Sequence, residues 1–145
     1  MKRLTRNPAW LVAIFVLVYA LGWGLPLLVD DGTSGLSGEE QLAAFAHREA
    51  RHVFWDNPLE QVWARRFQVV GIVRGTGVIE PTGGLASGWQ VRVRVYTFFG
   101  LPYADAVFES NGGSVEYRLP TGPVAFLILL ATPIALALRW AHAGC

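Results

Sequence analysis

Hydrophobic and polar positions divide this chain into three stretches with different periods. From Asn7 to Val29 and from Leu119 to Leu138 no residue is charged, and apolar side chains occupy every face. At 1.5 Å of rise per residue, about 20 helical residues cover the ~30 Å hydrocarbon core of a bilayer. Both runs meet that length. Near the helix centre, Leu, Ile, Val and Phe each favour insertion, and either set sums to roughly 3–5 kcal/mol. A transmembrane helix is therefore expected over 9–29 and a second over 119–139.

Between them the pattern is amphipathic. Leu42, Phe45, Ala46 and Val53 recur at helical spacing over 38–54. Ser37 followed by Glu40 has the form of a capping box. Asn57-Pro58 ends that helix, and Pro58 suits the first position of a short second one reaching Trp63. From Phe67 the period falls to two. FQVVGIVRGTGVIE reads as a strand with a bulge or bend near Gly75 to Gly77. Trp89, Val91, Val93 and Val95 then alternate with Gln90, Arg92, Arg94 and Tyr96, the clearest half-buried strand in the chain. YADAVFES forms a third strand and Val115, Tyr117 and Leu119 mark a fourth, with Asn111-Gly112-Gly113 as the turn between them. The expected fold is an α+β membrane protein. Two transmembrane helices flank a small extracytoplasmic domain, residues 30–118, built on an antiparallel sheet of about four strands with one or two helices.

Charge sets the orientation. Lys2, Arg3 and Arg6 precede the first run, whereas Asp30 and Asp31 follow it. All eleven acids lie in 30–118 with eight arginines, a net of −3 for that segment. Positive flanks stay in the cytoplasm, so residues 1–8 and 140–145 are expected inside and the acidic middle outside a bacterial inner membrane. Trp10, Trp23 and Trp140 stand near the ends of the two runs, where an indole bridges lipid and water. Ala20-xxx-Gly24 and Ala131-xxx-Ala135 are spacings that allow close helix contact. Ala20-Leu21-Gly22 has the form of a signal-peptidase site, but the apolar run continues through Val29, so an uncleaved anchor is expected. The single cysteine, Cys145, offers no internal disulfide.

No chemistry of catalysis or metal binding emerges. Neither apolar run contains histidine, so haem ligation within the membrane has no donor. His47 and His52 are five residues apart, about 140° around a helix, and read as surface residues. Leu119-Pro120-Thr121-Gly122 is similar to a sortase signal but lacks the residue between proline and threonine, so a hinge is expected there. Asp105 is the one carboxylate in apolar surroundings, and on a strand it would share a face with Tyr103 and Val107. The chain is thus expected to be no enzyme and to carry no cofactor. The net acidic outer domain gives nucleic acid no purchase.

Two features suit contact with partners. Arg92 and Arg94 share a strand face, with Arg65, Arg66 and Arg74 not far off in sequence, and could grip carboxylates or lipid phosphates. The apolar run from Tyr96 to Tyr103, with Phe98 and Phe99, would be a contact surface if exposed. The expected role is a non-catalytic accessory or scaffold subunit of a larger inner-membrane complex, with electron-transfer and photosynthetic assemblies as candidates. It would contact other membrane subunits and the lipid bilayer through its helices and outer domain. The alternative is an extracytoplasmic ligand-binding or sensory module, with a pocket near Trp89, Asp105 and the arginines.

Overall fold

The computed structural model describes residues 8–32, 38–79, 85–110 and 112–143. The basic N-terminal flank, Ser37 of the capping box, Asn111 and Cys145 lie outside those residues. Helix α1 spans Pro8–Gly24 and continues as a 3₁₀ turn, Leu25–Leu28. Helix α2 is Glu40–Trp55 and α3 is Pro58–Trp63. Strands β1 (Arg66–Ile79), β2 (Leu85–Tyr96), β3 (Pro102–Glu109) and β4 (Ser114–Arg118) precede helix α4, Thr121–Ala143. The fold is α+β, a four-stranded antiparallel sheet in the order β1-β2-β3-β4 with four helices.

Two helices, Pro8–Leu28 and Thr121–His142, are long and apolar enough to cross a membrane. They run antiparallel: Leu11 and Phe15 flank the same cleft as Pro133 and Leu136, while Gly22 lies against Leu129. Most of their remaining surface is exposed and apolar, Leu17, Leu127 and Leu138 among it. The contact between these two helices does not involve the small residues of Ala20-xxx-Gly24 and Ala131-xxx-Ala135. Ala20, Ala131 and Ala135 face outward, and Gly24 has no neighbour within 4 Å of a Cβ position. Gly22 makes the close approach instead: a Cβ there would stand 2.9 Å from Leu129 Cδ2 and 3.3 Å from Phe99 Cζ.

The sheet buries one face beneath α2. Val91, Val93 and Val95 of β2 join Ala104, Ala106 and Phe108 of β3 and Phe67 and Val69 of β1. The helix meets them with Ala43, Ala46, Ala50 and Phe54 rather than with the expected Leu42, Phe45 and Val53, which lie at the margin. Small side chains let the helix axis sit close to the pleated surface, so the larger apolar residues wrap its sides. Only Ala46 belongs to both stripes. The opening of α2 also differs from a reciprocal cap. Glu39 occupies the N-cap with no side-chain cap bond, and its carboxylate accepts from Arg74 Nε at 2.9 Å.

Strand β1 has register shifts between Val69 and Gly71 and between Thr76 and Val78, the second within the expected bulge region. Part of its free edge is covered by the segment leaving α1. Val69 N–H donates to the Asp31 carbonyl at 2.8 Å, and Arg66 Nε donates to the Val29 carbonyl at 3.1 Å. That approach needs Gly32, whose φ is +75° and whose Cβ would overlap the Val69 carbonyl. The far end of the sheet joins α4 directly. Leu119 N–H donates to the Tyr103 carbonyl at 2.7 Å and Thr121 Oγ1 to the Pro102 carbonyl at 2.6 Å.

Candidate functional site

Strand alternation places Arg92 and Arg94 on the sheet face away from α2, because Val91, Val93 and Val95 take the core face. Asp105 stands opposite Arg94 on β3. Arg94 Nε and Nη2 donate to its two carboxylate oxygens at 2.8 and 3.1 Å, and Arg92 Nη2 donates at 2.6 Å. The bidentate Arg94 contact holds the Asp105 carboxyl below the usual carboxylate range and raises the guanidinium in turn. The arginines thus grip a carboxylate, and it is the chain's own. Gln90 bonds Glu109, and Tyr96 Oη donates to Gln68 on the same face. Around this polar centre Val73, Val115 and Tyr117 are exposed, at 62%, 63% and 74%. A groove of about 290 Å³ runs between Arg94, Asp105, Tyr117 and Leu119.

Tyr103 does not share that face. The register shifts between Val95 and Tyr96, so Tyr103 turns into the core and meets Phe54 edge-on at 6.2 Å. The aromatic run beside it is also turned inward. Phe98 is fully buried and Tyr103 nearly so, and Phe99 is half-buried. The β2–β3 connection pushes Phe98 and Phe99 between the sheet-side ends of α1 and α4, where Phe98 stacks on Phe126 at 6.1 Å and meets Trp23 at 5.2 Å. Phe99 adopts φ 61°, ψ 13°, a left-handed conformation that a bulky residue enters only under packing constraint. These residues join the domain to the helices. The arrangement of Trp10, Trp140 and Trp23 follows from the hairpin: the first two are exposed at one end, and Trp23 is at the other, 42% exposed.

A second concave region lies where α2, the start of β1 and the segment after α1 meet. Its cavity, about 480 Å³, is lined by Arg51, Arg65, Arg66, His47, Asp31, Glu40 and the rings of Trp55 and Phe67. The domain's other described arginines all pair with carboxylates: Arg48 with Glu49, Arg74 with Glu39, Arg92 and Arg94 with Asp105, and Arg118 with Glu60 and Glu116. Arg51, Arg65 and Arg66 make no ion pair among the described residues. Instead Arg51 lies over Trp55 at 5.5 Å and Arg65 over Trp23 at 4.2 Å. Burial lowers the Arg65 guanidinium from its ordinary value. His47, expected on the surface, is half-buried toward this cavity, and its Nε2 is a buried ring nitrogen with no hydrogen-bond partner among the described residues. Burial is the main reason its ring titrates below the usual histidine value, and a hydrogen bond to the Asp31 backbone opposes the shift.

Trp89, expected beside Asp105 and the arginines, takes no part in their groove, because it packs against Phe45 of α2 at 5.4 Å on the opposite face. Among the described residues no group of three or more His, Cys, Asp or Glu side chains is placed to hold a metal ion. Glu60 was missed by sequence reasoning. It is 9% exposed in α3, its carboxyl pushed up by burial against the pull of Arg118, and only its place one turn after the N-cap Asn57 is legible in sequence. Compared with known proteins, the chain matches no family model, no curated protein and no solved structure.

Proposed function

We propose that this chain is a non-catalytic accessory subunit of a larger inner-membrane assembly, held by two spanning helices and presenting a fixed sheet face outside the cytoplasm. The observation that carries the reading is that face. Val73, Val115 and Tyr117 are exposed around an Arg92–Asp105–Arg94 cluster in which one carboxylate is shared by two guanidinium groups. Exposed aliphatic and aromatic side chains beside a hydrogen-bonded, arginine-bearing patch have the composition of a protein contact. The Phe98 junction supports the same role, because a domain packed onto its helices holds the face at a set angle to the bilayer.

Purification from native membranes in mild detergent tests the proposal. A reproducible partner should accompany the chain in fixed ratio, and Tyr117→Glu should release it while leaving the fold intact. A wild-type chain that migrates alone from native membranes would contradict it.

A further inference from the structure

We infer that the cavity between α2, β1 and the segment after α1 binds the phosphodiester headgroup of a phospholipid in the adjoining leaflet. The inference rests on the reading of α1 and α4 as spanning helices.

Three arginines with no carboxylate partner among the described residues meet at this one cavity, while those elsewhere in the described domain are paired. An arginine fork matches two phosphate oxygens at once, and each unpaired guanidinium has donors to offer. The position is as specific as the chemistry. Arg65 lies over Trp23, the penultimate residue of α1, and Arg66 is fixed by the Val29 carbonyl just beyond the 3₁₀ turn. In that turn Leu27 and Leu28 are 67% and 81% exposed, an apolar surface next to which acyl chains would lie. A lipid can therefore place its chains along the end of α1 while its headgroup reaches the guanidinium groups.

The charge of the wall selects among phosphates. Asp31 and Glu40 also line the cavity, so three arginines and two carboxylates leave a net of +1 with His47 neutral. A phosphodiester carries one negative charge and matches that balance. A doubly charged phosphate monoester would meet repulsion from the two acids.

The test uses the full-length chain in a maltoside detergent, with native mass spectrometry reading retained lipid. Phosphatidylglycerol should be retained at one molecule per chain, and a diacylglycerol of the same chain length should not. Arg51→Gln combined with Arg66→Gln should weaken retention about tenfold, whereas Arg74→Gln, which does not line the cavity, should leave it unchanged. If circular dichroism shows the double variant unfolded, Arg51→Gln alone, on an exposed side chain, gives the readout through a smaller loss. Equal retention by a folded cavity variant and the wild type would overturn the inference. So would inorganic phosphate displacing the lipid at equal concentration, the result for a soluble-anion site. A wild-type chain that stays monomeric in buffer without detergent would remove the spanning reading itself, before any lipid is added.

Discussion

The Arg65 guanidinium stands 4.2 Å above the Trp23 ring, and Trp23 in turn meets Phe98 edge-on. A cation from the start of the sheet, an indole from the end of α1 and a phenyl ring from the β2–β3 connection thus form one contact. Replacing the indole removes both partners at once. Trp23→Leu should cost about 1–2 kcal/mol, seen as a lower thermal midpoint in detergent and faster proteolysis between domain and helices.

Gly22 and Gly24 lie two residues apart in the same helix with opposite surroundings. A Cβ at Gly22 meets Leu129 at 2.9 Å, whereas one at Gly24 meets nothing within 4 Å. Gly22→Ala should therefore destabilise by roughly 1–3 kcal/mol through overpacking. Gly24→Ala should be neutral or stabilise by up to about 1 kcal/mol, the ordinary gain of alanine over glycine in a helix. Parallel thermal denaturation of the two variants checks the contrast.

The Asp105 carboxyl, held low by the Arg94 hydrogen bonds, binds its proton less readily in the fold than in the unfolded chain. Its contribution is fully present above the ordinary value of 3.8 and is lost as pH falls through the lower folded value. Because Arg92 is half exposed, solvent screening keeps the cluster to about 1 kcal/mol. Asp105→Asn should show that loss at neutral pH and a flatter stability profile below pH 4.

His47 shares the sign but works at a milder pH. Its ring titrates below the ordinary 6.5 because burial opposes the charged form. The unfolded chain takes up the proton first on acidification, so the fold is weakened as pH drops from 6.5 toward the folded value. His47→Gln should remove that dependence, measured by denaturation between pH 7 and pH 5.

The parts of the fold governed by local periodicity were legible. Val91, Val93 and Val95 alternate with arginines in sequence and do so in space. Pro58 opens α3 as its lack of an N–H predicts, and Asn57 caps it by accepting from Leu59 N–H at 3.0 Å. The α2 stripe misled because hydrophobicity weights Leu42 and Phe45 above alanines, whereas close packing on a sheet favours the small residues. Which way Phe98 and Tyr103 face depended on a register shift and on a left-handed Phe99, neither of which has a period. The gathering of Arg51, Arg65 and Arg66 was hidden for a different reason. It arises from α2 and β1 meeting under a backbone segment placed by Gly32, a long-range arrangement with no spacing to read.

The placement of the two ends and the middle of the chain can be measured with the single native cysteine. A membrane-impermeant maleimide is applied to intact spheroplasts carrying either the wild-type chain or Val115→Cys in a Cys145→Ser background. The account expects Val115→Cys to react from outside and Cys145 to react only after the membrane is opened. Labelling of Cys145 in intact cells, or of Val115→Cys only after lysis, would contradict it.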